Sequence, residues 1–215
     1  RISYEALAKL PAASEEKRTA VDAYTPPEAT YPNGTHVCEV EIDAETGVVA
    51  LTRYSIVDDF GLTLNPLLLA GQVHGGVVQG IGQALQEETH YSDDGQLISA
   101  SFMDYRVPRA EDVPNFHFET RNVPSTTNPL GLKGAGEAGS IGSCPAIMNA
   151  LHDALRRAGS SVHVDMPATA PVVLDALRGR ASRRGPGGGR GPKETGIARH
   201  YGAPAPDITK EIPAL

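Results

Sequence analysis

The sequence predicts an α+β fold, because strand-like and helix-like hydrophobic patterns follow one another along its 215 residues. Apolar residues alternate with polar ones over 36–43, which is typical of a half-buried strand. Apolar residues then recur at three- and four-residue steps over 66–88 and again after residue 140, as expected of helices. With 40% hydrophobic residues, the chain is long enough to bury a substantial core.

The N-terminal elements are a short helix and a hairpin. Residues 1–34 show mixed patterns, with a short helical stretch expected over 4–10 and turns at the later prolines. The alternating strand over 36–43 turns at Gly47 and returns over 48–57. The sequence therefore predicts a β-hairpin.

The first long helix is predicted over 66–88, with Asn65 as its N-cap and Pro66 at its first position. It contains five glycines, each of which costs about 1 kcal/mol relative to alanine in an exposed helix. We therefore expect another backbone, or a ligand, to approach this helix closely. Gln72 lies near its start, where polar ligands are favoured, so ligand contact and simple solvation are both open for this side chain.

The remaining elements are shorter, apart from a second long helix. Strands are expected over 90–91, 97–102, 116–123 and 162–164. Ser140 or Ser143 is expected to cap the second long helix, and Gly159 to end it. Its predicted core stripe consists of Ile147, Ala150 or Leu151, Ala154 and Ala158. A short last helix is expected over 171–177.

Charge divides the chain into a body and a tail. The net charge is −7, but residues 1–177 carry 11 basic and 23 acidic side chains, whereas residues 178–215 carry 8 and 3. The acidic body argues against a broad nucleic-acid surface, and the tail, rich in Gly and Pro, is predicted to be disordered. The predicted organisation is an irregular lead-in over 1–34, a domain over 35–177 and the basic tail over 178–215.

The cysteine spacing and the length of the apolar runs indicate the cellular environment of the chain. Cys38 and Cys144 fit no metal or redox spacing, so both are predicted to be packing residues in a reducing, cytoplasmic environment. No apolar run approaches the roughly 20 residues of a membrane span. The chain starts at Arg1 in mid-pattern, so we expect it to be a piece of a longer protein.

The most informative segment is the glycine loop, residues 131–140, which holds four glycines around Glu137 and precedes the second long helix. Glycines of this density let a ligand approach bare backbone N–H groups. A carboxylate would repel an anion bound there, so Glu137 is predicted to perform chemistry beside the bound group.

Three other candidate sites in the chain also have simpler interpretations. Gly134, Gly136 and Gly139 have the spacing of a dinucleotide fingerprint, but the preceding strand is missing and the acid at the right distance, Asp153, falls inside a helix. Among the seven histidines, His74 on the glycine-rich helix is the best placed, and a packed helix histidine is its simpler interpretation. The Asp58–Asp59 pair is either a solvated turn or a brace for the following loop.

Ordered motifs from about residue 35 to residue 177 resemble the molybdenum hydroxylases, in particular the large subunit of the carbon monoxide dehydrogenase, aldehyde oxidase and xanthine dehydrogenase family. They include VDDFG at 57–61, LNP at 64–66, GQVHGG at 71–76, QGIGQAL at 79–85, SFMDY at 101–105, NPLG at 128–131 and GLKGAGEAG at 131–139.

The resemblance implies a molybdopterin cytosine dinucleotide cofactor and oxidation or hydroxylation of a small aldehyde, N-heterocycle or carbon monoxide. Glu137 matches the glutamate that acts as general base beside the metal, and Gln72 matches a glutamine that contacts the pterin. Backbone amides of Lys133, Gly134, Ala135 and Gly136 are expected to line the same cofactor.

The resemblance also implies partners. The family's large subunit is several times longer, so its N-terminal part would supply the other half of the cleft, and 2Fe–2S and FAD groups would lie on partner subunits. The alternative is a non-catalytic fragment, or an assembly module that lacks a complete active site.

Overall fold

The computed structural model describes residues 3–9 and 21–180. Its helices in that part of the chain are α1 (Tyr4–Ala8), α2 (Pro66–Leu85), α3 (Ala138–Arg157) and α4 (Ala170–Leu177). Its strands are β1 (Asn33–Ile42), β2 (Val49–Asp59) and β3 (Phe116–Thr120), and a 3-10 turn spans Ala110–Asp112. Helices and a mixed sheet in one core confirm the predicted α+β class. The predicted disordered tail falls mainly outside the described residues.

The sheet has the order β1-β2-β3. β1 and β2 are antiparallel with a bulge at Glu39 and Val40, and β2 and β3 are parallel. The hairpin is therefore confirmed, with Gly47 in its turn at φ +75°. Parallel pairing needs a long crossover, and here α2 lies in the connection between β2 and β3.

Helices α2 and α3 pack against each other, and α3 also contacts β1. The Asn65 side chain accepts a hydrogen bond from Leu68 N–H, which confirms the predicted cap of α2. One hydrophobic core unites the sheet with α2, α3 and α4, and its fully buried members include Tyr54, Ile56, Val73, Val77, Ile81, Ile147, Leu151 and Val173.

Glycines bring the two long helices close together. A Cβ at Gly139 would overlap the carbonyl oxygen of Val73 and would lie 2.9 Å from Cα of Gly76. A Cβ at Gly80 would overlap the Ser143 hydroxyl. Close approach of the α3 backbone thus accounts for Gly76, and packing of the Ser143 side chain accounts for Gly80.

The structure corrects several local predictions. Helix α2 ends at Leu85 instead of residue 88. Residues 97–102 and 162–164 are not strands, and only an isolated bridge joins Tyr91 to Leu97. These segments lack paired neighbours that would form a ladder, so they adopt loops, and Ile98 and Phe102 in the first of them remain exposed.

The start and core face of α3 also differ from the prediction. Glu137 occupies the N-cap position, while the Ser140 hydroxyl donates to the Glu137 carbonyl oxygen. Packing of Gly139 against α2 places the beginning of the helix before the two serines. The buried stripe continues from Ile147 through Leu151 and Leu155 instead of Ala154 and Ala158, because the larger side chains face the core. In the part of the chain that the structure describes, no helix has the length and apolarity to cross a membrane.

Candidate active site

A cleft of about 390 Å³ opens where the start of β1, the end of β2 and the N-terminus of α3 meet. The glycine loop forms one side of this cleft through Gly134, Gly136 and Glu137. The opposite side includes His36 and Asp58 from the hairpin. The predicted catalytic residue therefore lies in a concave site built by three elements of the fold.

The first part of the glycine loop is tied to the end of β2. Leu62 N–H donates to the Gly131 carbonyl at 2.8 Å, and Lys133 N–H donates to the Phe60 carbonyl at 2.9 Å. Gly61 and Gly131 have positive φ of 64° and 66°, a conformation that glycine adopts without steric cost. The loop thus enters the site on a fixed path.

Asp59 is the main brace of this path. Its Oδ2 accepts from the Lys133 ammonium at 2.5 Å, and its Oδ1 accepts from Gly61 N–H and Val123 N–H, each at 2.9 Å. Both side chains of the ion pair are nearly buried, with exposed fractions of 12% for Lys133 and 9% for Asp59. Asp59 therefore joins the ends of β2 and β3 to the glycine loop.

Hydrogen bonding keeps Asp59 ionised. Burial by itself raises the pKa of the carboxyl, but the hydrogen bonds from Lys133, Val123 and Gly61 outweigh burial and lower that pKa from 3.8 to about 2. The Lys133 ammonium is thus engaged with Asp59, and its backbone N–H with Phe60. Lys133 acts on the cleft mainly by fixing the loop.

The second part of the loop is open. A Cβ at Gly134 or Gly136 would meet nothing within 4 Å, so a ligand can approach the backbone there. Gly134 N–H donates a 3.3 Å hydrogen bond to the Thr30 hydroxyl. Within the described ranges, the N–H groups of Ala135 and Gly136 have no hydrogen-bond acceptor. These two amides are free to bind a polar group.

Gln72 is brought to the same place from α2. Its Nε2 donates to the Gly136 carbonyl at 2.7 Å, while its side chain remains exposed. A Cβ at the neighbouring Gly71 or Gly75 would meet nothing within 4 Å, so this stretch of α2 is also open to a ligand. The structure thus brings Gln72 next to residues 133–137. Contrary to the prediction, the backbone N–H groups of Lys133 and Gly134 are already hydrogen-bonded, so only those of Ala135 and Gly136 are free to line a ligand.

Glu137 caps α3 with backbone φ −118° and ψ 0°, and its side chain accepts no capping hydrogen bond. Over residues 3–9 and 21–180, no hydrogen bond or ion pair engages its carboxylate. The positive end of the helix dipole favours a negative charge at this position. Glu137 is thus an exposed acceptor at the edge of the cleft.

The cleft wall contains a buried polar group that the sequence did not predict. His36, Tyr54 and Asp58 share one face of the hairpin and are almost excluded from solvent. Asp58 Oδ2 is buried and has no hydrogen-bond donor among the described residues. The available signal was the two-residue alternation, which places residues 54, 56 and 58 on the same face of β2.

Other candidates do not join the cleft. The His74 ring packs edge-on against Phe116 and Phe118, with centroids 5.3 and 6.1 Å away, as expected of a packed histidine. Cys38 and Cys144 are both half-buried. Burial, with the charge of Glu39, raises the pKa of the Cys38 thiol to about 12, and burial raises the pKa of Cys144.

Comparison with known proteins identifies the family. The profile of the molybdopterin cofactor-binding domain matches residues 1–114, more than half of the chain. This chain belongs to that family. The glycine loop and Glu137 lie beyond the matched range, so their roles rest on the geometry and on the resemblance of the motifs.

Individual members of the family align over most of the chain. The large chain of carbon monoxide dehydrogenase from Afipia carboxidovorans is 38% identical over 69% of this chain. The nicotine 6-hydroxylase large subunit of Paenarthrobacter nicotinovorans is 37% identical over 83%. A crystal structure of Cu,Mo-CO dehydrogenase superposes with a TM-score of 0.68 and 35% identity over 73% of this chain.

This chain spans about a fifth of the length of these relatives, with 18%, 22% and 20% of each relative covered. Membership of this oxidoreductase family therefore follows from sequence and fold together.

Proposed function

We propose that this chain supplies the catalytic base and part of the cofactor cleft of a molybdopterin-dependent hydroxylase, with residues 35–177 forming the cofactor-binding part. The observation that carries this proposal is the unpartnered carboxylate of Glu137 beside an open glycine backbone. A general base must be free to accept a proton and must lie next to the reacting group. Glu137 meets the first condition, and its position at the cleft supports the second.

The residues around the cleft fit a pterin cofactor. Pterin rings and their phosphates carry many hydrogen-bond acceptors and donors, and the amides of Ala135 and Gly136 can donate to them. Gln72 holds Gly136 through Nε2 and leaves Oε1 as an acceptor. Gly134 and Gly136 give the space that such a group needs. We assign the cytosine dinucleotide form of the cofactor from the resemblance to the carbon monoxide dehydrogenase group.

When bound, the cofactor supplies the molybdenum redox chemistry of the reaction. This chain's own contribution is to orient the cofactor through the loop backbone and to remove a proton through the Glu137 carboxylate. Substrates of this class include small aldehydes, N-heterocycles and carbon monoxide. The relatives are named as large chains or as subunits of a complex, which supports partner subunits for this chain. From the resemblance to the molybdenum hydroxylases, we assign 2Fe–2S and FAD groups to those partners, and electrons would leave through them.

The test is Glu137→Gln in the assembled large subunit with its partner subunits. The amide keeps the size of the side chain but cannot serve as a base, so turnover should fall by about 10²- to 10⁴-fold. Molybdenum and pterin content should stay unchanged. Glu111→Gln is the matched control, because Glu111 is exposed and lies outside the cleft. Normal turnover of Glu137→Gln would contradict the role of general base.

A metal and pterin assay of the purified assembly separates this proposal from a non-catalytic fragment. Stoichiometric molybdenum and pterin support the enzyme. A folded assembly that retains neither would refute cofactor binding and would favour an assembly module.

A further inference from the structure

His36 is held between two side chains of the neighbouring strand. It pairs with Ile56 across the hairpin, so Tyr54 and Asp58 are its diagonal neighbours on the same face. Nδ1 lies 2.9 Å from the Tyr54 hydroxyl, and Nε2 lies 3.6 Å from Asp58 Oδ1. The side chains of His36 and Asp58 are only 7% and 4% exposed. The imidazole is therefore hydrogen-bonded at Nδ1, and its Nε2 faces the Asp58 carboxylate.

The hydrogen bonds around this ring have a preferred direction. Burial raises the pKa of the Tyr54 hydroxyl, and the nearby Cys38 and Asp58 raise it further. The phenol keeps its hydrogen and can donate it to Nδ1 of His36. In that arrangement Nε2 carries the other hydrogen and faces Asp58 Oδ1 at 3.6 Å, so the Tyr54 hydrogen bond is what orients the ring.

Helix α3 rests on this ring at Gly142. A Cβ at Gly142 would lie 2.5 Å from Cε1 and Nδ1 of His36, which is closer than carbon and nitrogen atoms can approach. Gly142 is five residues after Glu137 on the same helix. The position of the imidazole thus determines how closely the first turns of α3 approach β1.

We propose that His36 is a positioning residue for Glu137. The ring, held by Tyr54 at Nδ1 and facing Asp58 at Nε2, supports α3 at Gly142 and so fixes the backbone at Glu137, from which the carboxylate extends at the edge of the cleft. His36, Asp58, Gly142 and Glu137 all line that cleft. The expected effect on turnover rests on the proposed function, whereas the effect on the position of Glu137 does not.

The first test measures the position of Glu137 in the full chain by NMR, from its side-chain carboxyl carbon and the amides of residues 134–142. His36→Ala removes the support, and Gly142→Ala forces the helix away from the ring, so each should shift these signals. The double variant should return them towards the wild type, because the added methyl group at position 142 enters the space that the ring leaves.

His152→Ala is the matched control. His152 lies on the same helix and stacks on His163 with ring centroids 4.8 Å apart, far along α3 from Glu137. Its removal should leave the Glu137 signals in place. Tyr54→Phe removes a single hydroxyl from a buried ring and should cause a smaller shift of the Glu137 signals, even if His36→Ala unfolds the chain.

The second test measures turnover in the assembled enzyme. A displacement of about 1 Å can cost about 10²-fold, so His36→Ala should lower kcat by roughly 10- to 100-fold while the molybdenum content is retained. The double variant should recover much of this loss. The proposal is wrong if the double variant lies no nearer to the wild type than the singles, or if His152→Ala moves Glu137 as far. If Glu137→Gln does not lower turnover, Glu137 is not the general base. The NMR test of His36 as a positioning residue is unaffected by that outcome.

Discussion

Replacement of Asp59 by asparagine tests the brace of the glycine loop. Asparagine has the size of aspartate, so its Oδ1 can still accept from Gly61 N–H and Val123 N–H. Its amide group would face the Lys133 ammonium with hydrogens in place of an acceptor. The substitution therefore leaves a nearly buried lysine charge without its partner while the backbone contacts remain.

Two magnitudes bound the expected loss of stability. A hydrogen bond to a charged group contributes about 1.5–3 kcal/mol, and removal of one partner of a fully buried ion pair costs about 3–5 kcal/mol. Lys133 retains some exposure, which allows partial hydration of the ammonium. We therefore expect Asp59→Asn to lower the free energy of unfolding by about 2–3 kcal/mol.

Urea denaturation of the full chain, followed by circular dichroism, measures this loss. Lys133→Met keeps the length of the side chain and leaves Asp59 with two N–H donors, so about 1–2 kcal/mol is expected for it. The double variant should lose clearly less than the sum of the singles. Losses that add to within about 0.3 kcal/mol would show that the two groups do not interact and would refute the brace.

The same pair predicts a pH dependence. The pKa of Asp59 is lowered from 3.8 to about 2 in the folded chain, so its contribution to stability is complete above pH 4 and is lost as the pH falls towards 2. The wild type should therefore lose more stability than Asp59→Asn over this interval. Equal losses in both proteins would contradict the assignment.

Two further substitutions test the packing of α3 and the contact of Gln72. Gly139→Ala places a methyl group against backbone atoms of Val73 and Gly76, so it should lower the free energy of unfolding by about 1–3 kcal/mol. Gly134→Ala is the control, because its methyl group enters open space, and its free energy of unfolding should stay within about 0.5 kcal/mol of the wild type. Equal losses in urea denaturation would refute the close packing. Gln72→Glu replaces the amide donor by a carboxylate next to the Gly136 carbonyl oxygen. In NMR spectra it should therefore shift the backbone amide signals of residues 134–137 more than Gln72→Leu does. A larger shift for Gln72→Leu would contradict the hydrogen bond.

The periodicity of apolar residues predicted the hairpin and the two long helices of the fold. Strict alternation fixed the hairpin because one face of β1 and β2 packs on the core, and a shift by one residue would expose that face. The cap at Asn65 followed from local chemistry alone, since its side chain bonds three residues ahead. Segments that needed a partner from elsewhere, such as 97–102, were predicted wrongly because an apolar run does not reveal whether another strand lies beside it.

The residues of the candidate site also fall into two groups, those that local sequence predicts and those that depend on distant contacts. Glu137 and its neighbouring glycines were predicted as site residues because four glycines around one carboxylate within ten residues is an unusual composition. The brace from Lys133 to Asp59 joins residues 74 positions apart, and the support of Gly142 by His36 joins α3 to β1. Neither contact has a local pattern in the chain, because long-range packing determines both.

Three independent contacts converge on the segment that carries Glu137. Asp59 binds Lys133, which precedes Glu137 in the loop. Gly76 packs against Gly139, two residues after Glu137, and His36 supports Gly142 one turn further along the helix. All three partners belong to this chain, and each contact is made by atoms of low exposure or by backbone. We infer that the fold itself sets the backbone position of Glu137, so that a cofactor or an adjoining part of a larger subunit would meet the proposed base on a backbone already in place. Such preorganisation is what a base needs in order to act without rearrangement at the moment of reaction.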